Sequence, residues 1–286
     1  MNISSGSAGP SAFILMVFPL LLSCGVSKPV MSIPTEFERE AIRMEINGLG
    51  KGGSQTSKPL SFAGYSTSRI KRGWLFHSSK YDRDMKLTLE ERILSAFNLR
   101  KSDITTSKHD KFHFAISSNG KYAEVYGVER QVSHYEHIET NGQAPTDISR
   151  LKNSSYLFSA LILSGGVENP AQWVLQISAT KNPEQHDEKP FIERQQWEES
   201  GFLANGVDTF ELRSVKVKEI LTKEGRKLSM PFAVMKAYEF RVDGEVTAIV
   251  DSFGKVLWMY NQLDEDTGFI VAAASAALLV RRINVF

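Results

Sequence analysis

Apolar and polar residues alternate along much of the chain after Pro59, and a period of two is typical of strands with one face in a core. The stretch from Lys111 to Arg130 predicts a hairpin, because Asn119-Gly120 between its arms is a pair that tight hairpin turns prefer. Alternation or strand composition predicts further strands over Leu60 to Phe76, Tyr156 to Leu163, Gln172 to Thr180 and Gly201 to Val217. A meander of three strands is predicted near the end, over Ala237 to Val242, Glu245 to Asp251 and Lys255 to Tyr260.

The chain before these strands predicts a short helix. Thr35 and Glu38 have the spacing of a capping box, and apolar residues recur at helical spacing as far as Met44. Asn47-Gly48 is a typical helix stop, and the residues that follow as far as Lys58 predict a flexible linker. Three glycines there have the spacing of a dinucleotide-binding turn, but the predicted elements around them are wrong for that motif, so no nucleotide cofactor is expected.

Two more helices are predicted further along the chain. Thr88 and Glu91 form a second capping box, at the start of a helix that includes Leu89. The last helix extends from Asp264 to Arg282, and its residues from Phe269 to Val280 are apolar except for one serine. That apolar part spans only about 18 Å against about 30 Å for a bilayer core, so we predict a buried helix. A helix that is apolar on every side needs cover on every side, from a curved sheet or from a partner, and we favour the sheet.

Together these elements predict an α+β fold, in which a predominantly antiparallel curved sheet of eight to ten strands packs on two helices, including the apolar C-terminal helix. Residues 59–286 are expected to form this domain. The stretch from Thr140 to Ser154 is rich in Asn, Gly and Ser, which predicts a long loop. The domain would divide there if it has two halves.

The charge balance excludes one class of partner. The chain of 286 residues carries 34 Lys and Arg against 33 Asp and Glu, so it has no overall field to hold a polyanion. No nucleic-acid partner is therefore expected. The single cysteine also excludes an internal disulfide framework.

That cysteine ends an apolar run from Phe13 to Cys24, whose last residues are Leu21-Leu22-Ser23-Cys24. This segment resembles the lipobox at the end of a bacterial lipoprotein signal peptide. The resemblance implies that residues 1–23 are removed and that Cys24 carries several acyl chains, which hold a membrane stably where one chain binds only reversibly. Residues 24–58 would then be the lipidated cysteine, a tether, the short helix and the linker.

The resemblance also implies a location, which is the bacterial cell envelope, at the outer membrane or at the periplasmic face of the inner membrane. The leader differs from the usual pattern in having no Lys or Arg before Ala12. The alternative is an ordinary cleaved leader and a secreted protein without a lipid.

The densest group of candidate catalytic residues is His134, Glu136 and His137. The two histidines can share a face only if this segment is helical, and the order of residues differs from the HExxH motif of zinc proteases, so no metal site is predicted. Asp251 ends a predicted strand, where an aspartate is either a site residue or part of an ordinary turn.

A candidate binding surface lies on the predicted strand edge that carries Arg69, Lys71, Arg72 and Trp74. A basic edge with an aromatic residue suits an anionic lipid, a glycan or a phosphate. The alternative, which we favour, is a solvated strand face with a tryptophan that packs into the core.

The stretch from Lys181 to Ser200 is strongly charged and predicts an exposed segment. Its glutamates Glu193, Glu198 and Glu199 lie near Trp197, an arrangement that suits sugar chemistry. Glutamates in such a charged run are usually solvated, so we predict that these three are as well.

These observations favour a membrane-anchored, non-catalytic binding or assembly module of the envelope, with the membrane as one partner and a glycan, lipid or protein as another. The sequence has no GxSxG motif, no second cysteine to act as a nucleophile and no complete metal set, and no cofactor is predicted. The alternative is an envelope hydrolase, whose catalytic residues would be His134, Glu136 and His137, with Asp251.

Overall fold

The structure is a computed structural model that describes residues 28–30, 33–50, 57–82, 99–140, 148–165, 170–181, 199–217, 219–221, 227–229, 235–252 and 254–283. The first strands and the first helix are β1 Lys28–Val30, α1 Thr35–Glu40, β2 Ala41–Glu45, β3 Ser61–Phe62, β4 Tyr65–Thr67, β5 Lys71–Arg72 and β6 Phe76–Asp82. The long central strands are β7 Leu99–Ser118, β8 Lys121–Thr140, β9 Ile148–Ser164 and β10 Ala171–Lys181. The remaining elements are β11 Glu199–Ala204, β12 Thr209–Val217, β13 Glu219–Leu221, β14 Lys227–Ser229, β15 Met235–Val242, β16 Glu245–Asp251, β17 Val256–Tyr260 and α2 Glu265–Leu279.

Fourteen of these strands form one sheet, and its neighbouring strands pair antiparallel. The order is β2-β17-β16-β15-β12-β11-β10-β9-β8-β7-β4-β3, with β5 and β6 also paired to β7. Asn47 and Ser61 exchange backbone hydrogen bonds of 2.9 and 3.2 Å, and these residues follow β2 and begin β3, at the two ends of that order. The sheet is therefore nearly closed and barrel-like. The predicted antiparallel sheet is confirmed, with more strands than the eight to ten expected.

The predicted hairpin and meander are both confirmed. Asn119 and Gly120 join β7 to β8 with φ of 48° and 79°, the positive values that a tight hairpin turn requires. The strands on either side are 20 residues long, well beyond the predicted arms. Asp243 and Gly244 have the same positive φ between β15 and β16.

Helix α2 fills the interior of the sheet. The side chain of Asp264 accepts hydrogen bonds from the backbone of Asp266 and Thr267, which satisfies free amides of the first turn. Every residue from Gly268 to Leu279 is buried, in one core with the inward side chains of the strands. The prediction that the curved sheet covers this helix on all sides is confirmed. No helix among the described residues is long and apolar enough to span a membrane.

The first helix is shorter than predicted. Helix α1 ends at Glu40, and Ala41–Glu45 forms strand β2 against β17. Its N-cap is Pro34, with no side-chain capping bond, so the capping box predicted at Thr35 is wrong. The open edge of β17 explains the difference, because it offers Ala41–Glu45 a full set of backbone partners that the helical pattern does not anticipate. Phe37 packs with Ala237 and Ile249 on the outer face of the sheet, opposite to α2.

Two other predictions have mixed outcomes. The loop predicted from Thr140 to Ser154 is too long, because β9 begins at Ile148 and continues the ladder with β8. The helix predicted at Leu89 lies outside the described residues.

Candidate functional site

Charged residues gather inside the sheet at the point where α2 ends. This inner ion cluster contains three arginines, three carboxylates and two tyrosines, namely Arg72, Asp110, Glu129, Tyr156, Glu199, Tyr238, Arg281 and Arg282. Six of them occupy inward positions of β5, β7, β8, β9, β11 and β15, and the last two directly follow the helix. The cluster therefore joins the end of α2 to six different strands of the sheet, from β5 to β15.

Arg281 lies at the centre of this cluster. Its Nη1 is 3.3 Å from Oε2 of Glu199 and 3.3 Å from the hydroxyl of Tyr156, and its Nη2 donates to the hydroxyl of Tyr238. Its Nε also donates to the carbonyl of Leu278 at 3.3 Å, so the cation lies at the negative end of the helix dipole. The guanidinium carbon is 4.8 Å from the centre of the Tyr238 ring, within range of a cation–π interaction.

Glu129 holds the backbone that follows the helix. Its carboxylate accepts hydrogen bonds from the amides of Arg282 at 2.6 Å and Ile283 at 3.0 Å, and from the Tyr156 hydroxyl at 3.1 Å. Burial raises the pKa of Glu129, and the nearby Arg281 and these two amides oppose that shift. The cluster thus fixes the position of the last described residues.

Arg72 completes the cluster on the other side of the helix end. It donates to Oδ2 of Asp110 at 3.2 Å and also to the carbonyl of Val280. Burial lowers the pKa of Arg72, and the neighbouring Arg282 lowers it further. Oδ1 of Asp110 is buried without a hydrogen-bond partner in the described part of the chain. Because its three cations match its three carboxylates, the cluster has the charge balance of a structural anchor for α2.

Part of this cluster contradicts the sequence analysis. Glu199 was predicted to be solvated, but only 1% of its side chain is exposed and it pairs with Arg281. Arg72 was predicted on a basic surface edge, but its side chain is 5% exposed and points inward. The sequence contains one signal of the cluster. Alternation along β8 places Glu129 on the same face as Val125 and Gly127, which is the face that points inward, so a buried carboxylate could have been predicted there.

The predicted catalytic residues on β8 do not converge. The segment is a strand, so alternation places His134 and Glu136 on one face and His137 on the other. Nδ1 of His134 is 3.0 Å from Oγ1 of Thr105, and Nδ1 of His137 is 2.8 Å from the hydroxyl of Ser149. In the part of the chain that the structure describes, no three His, Cys, Asp or Glu residues are arranged to hold a metal ion.

Asp251 lies apart from these histidines, at the end of β16. Its Oδ1 accepts a hydrogen bond from the backbone amide of Gly254 at 2.9 Å. That is the geometry of a turn in which the aspartate satisfies a backbone amide three residues later.

An open cleft of about 630 Å³ lies beside β11, β12 and β15, and Glu199 is the one residue raised in the sequence analysis that lines it. Its lining residues are Glu199, Ser200, Glu211, Arg213, Ser214, Val215 and Glu239. Arg213 pairs with Glu211 at 2.7 Å, so its cation is already matched within the protein.

The predicted binding edge is exposed, apart from Arg72. Three consecutive apolar residues on it form what we call the aromatic edge: Trp74 is 84% exposed, Leu75 51% and Phe76 67%. The alternative in which Trp74 packs into the core is therefore wrong. Arg69 and Lys71 are exposed beside it.

Lys111 joins this basic surface through a local contact with Gly73. The amide of Gly73 donates to the carbonyl of Lys111 at 2.8 Å. A Cβ atom at position 73 would lie 2.6 Å from Cγ of Lys111, so the absence of a side chain lets the lysine stem cross the strand there. The exposed ammonium group is thereby held on the strand that neighbours the aromatic edge.

Cys24, the predicted lipidation site, lies outside the described residues. No protein-family model, curated protein or solved structure matches the chain.

Proposed function

We propose that the protein is a membrane-anchored envelope lipoprotein that works as a non-catalytic binding or assembly module. The anchor is the acylated Cys24, and the contact surface is the aromatic edge with its neighbouring cations. The observation that carries the proposal is the exposure of Trp74, Leu75 and Phe76 together. Isolated exposed apolar residues are normal, but a contiguous group of large ones is typical of a binding surface.

The interior of the fold also supports a binding role. Helix α2 occupies the space that a ligand would fill in a barrel-like sheet, and its residues from Gly268 to Leu279 are all buried. The arginines and carboxylates at the end of the helix are matched with one another. The candidate catalytic residues His134, His137 and Asp251 make separate local hydrogen bonds. The surface is therefore a better candidate for function than the interior.

The anchor is tested by intact mass and membrane fractionation of the full chain expressed in a bacterium. We expect a mature protein that begins at Cys24, carries acyl chains and is extracted from membranes only by detergent. Cys24→Ser should abolish the acylation and release the protein, while Ser27→Ala should change neither. An unmodified mass in the soluble fraction of the unaltered chain would refute the anchor.

A further inference from the structure

A second group of apolar side chains is exposed on the outer face of the sheet, beyond the aromatic edge. This outer apolar band has members on four adjacent strands, and each is between 37% and 45% exposed. It consists of Tyr126, Val128, Leu157, Leu161, Val174 and Phe202. Outward positions of a sheet that faces water are normally polar, so these residues require an explanation.

Strand register makes the band contiguous. Tyr126 on β8 is opposite Leu161 on β9, which is opposite Val174 on β10. Val128 and Phe202 lie in the next outward row, two residues along their strands. Neighbouring strands are about 4.8 Å apart, so Tyr126, Leu161 and Val174 lie side by side. Val128 and Phe202 flank the polar pair Ser159 and Gln176 in their row, about 7 Å along the strands. Helix α1 packs on the outer face elsewhere, at Ala237 and Ile249, and leaves this part uncovered.

The same register links the band to the aromatic edge. Phe76 on β6 is opposite His109, which is opposite Arg130, and Arg130 is opposite Leu157 of the band. Two outward rows along the strands, the ring of His113 stacks on Tyr126 with their centres 4.4 Å apart. The band and Phe76 of the aromatic edge therefore lie on one face of the sheet, with basic residues of β7 and β8 between them.

Three basic residues lie on the same face as the two apolar groups. Lys71, Lys111 and Arg130 are exposed on this face, and none forms an ion pair with a described residue. Glu124, an acid on the same face, already contacts His113 and the hydroxyl of Tyr122. The face thus combines a net positive charge with exposed Trp, Tyr and Phe rings.

We propose that this face lies against an anionic lipid bilayer, with its rings at the headgroup level and its cations on lipid phosphates. Exposed aromatic rings and long basic side chains are the residues that sit at membrane interfaces, and an anionic leaflet attracts basic segments. Charge complementarity distinguishes this occupant from a second copy of the chain, which would place two positive faces together. The proposal rests on the proposed function in one respect, since the lipid on Cys24 is what would bring this face to the membrane.

The test removes the acyl chains, and the apolar run before Cys24 is the same in every variant that is compared. The full chain with Cys24→Ser is sedimented with vesicles of equal parts phosphatidylcholine and phosphatidylglycerol, and with vesicles of phosphatidylcholine alone. We expect stronger binding to the anionic vesicles and a loss of that preference at high salt, because screening weakens exposed charges. Equal binding to both vesicle types would overturn the proposal, and so would a preference that salt leaves unchanged.

Variants in the same background assign the binding to this face. Lys71→Gln with Lys111→Gln should weaken binding to anionic vesicles by about thirtyfold, since each cation near such a surface contributes about fivefold. Trp74→Ser with Leu161→Ser should weaken binding to both vesicle types. The control pair Ile42→Ser with Val207→Ser removes exposed apolar residues elsewhere and should have no effect.

Other outcomes identify other occupants and overturn the lipid proposal. The lipid proposal is overturned if the lysine pair and the Trp74/Leu161 pair both bind vesicles as the parent does, with the same circular dichroism as the parent. A concentration-dependent dimer without lipid, dissolved by Leu161→Ser, would show that the face is an interface between copies. If Cys24 is not acylated, the unaltered chain has an unmodified mass. That result would refute the anchor but would not affect the vesicle measurements, which use the Cys24→Ser chain.

Discussion

Arg281→Met is the most direct test of whether the inner ion cluster stabilises the fold. It retains most of the aliphatic stem but removes the cation that donates to Glu199, Tyr156 and Tyr238. The side chain of Glu199 is only 1% exposed, so it keeps little contact with water. A buried carboxylate would then have lost its ion pair with Arg281.

The expected cost follows from that burial. Removing one partner of a buried ion pair typically destabilises a protein by about 3 to 5 kcal/mol, because the other charge is left in a medium of low polarity. We expect a loss of this size in the free energy of unfolding for Arg281→Met. Replacing both partners, with Glu199→Leu and Arg281→Met, should recover most of it, since the penalty comes from the unpaired charge rather than from a missing attraction.

Urea unfolding followed by far-UV circular dichroism measures these changes, with the full Cys24→Ser chain as the reference. Arg213→Met is the matched control, because Arg213 forms an exposed pair with Glu211 and its loss should have little effect. The reasoning would be refuted if Arg281→Met cost no more than Arg213→Met, or if the double variant were less stable than Arg281→Met alone.

Two further substitutions test the same interior. Gly127→Ala would place a Cβ 2.6 Å from Cε1 of Phe112, so we expect a loss of about 1 to 3 kcal/mol in urea unfolding, against no significant loss for the exposed Ser117→Ala; equal stabilities would contradict the packing. Burial raises the pKa of Glu129 above its ordinary value of 4.5, so the folded state binds the proton more tightly and stability should fall as pH rises from 4.5 to the higher pKa. Glu129→Gln should remove that fall and the exposed Glu45→Gln should keep it, whereas an unchanged profile in Glu129→Gln would refute the assignment.

The elements that the sequence predicted correctly depend on neighbours in the chain. Asn119-Gly120 specifies its hairpin because positive φ at two successive residues is a local requirement of the turn. Asp264 begins α2 for the same kind of reason, since a capping side chain reaches amides only two and three residues away. The burial of α2 was also predictable, because a helix that is apolar on all sides must be covered on all sides.

The errors arise where a distant partner competes with a local pattern. Residues 41–45 have helical spacing, yet they form β2 because β17 offers them a sheet edge. Glu199 lies in a charged stretch, yet it is buried because Arg281, 82 residues later, supplies its counter-charge. Neither partner can be identified from the stretch itself.

The sequence by itself determined that this protein has an antiparallel sheet, a tight central hairpin and an apolar C-terminal helix, because turn chemistry, capping and periodicity act over a few residues. Only the tertiary structure showed which residue of the short, basic strand β5 points inward. Arg72 enters the ion cluster while Lys71 remains outside, and the difference is one position along β5. A period of two defines two faces but does not say which one meets the core, since that depends on register with strands far away in the chain.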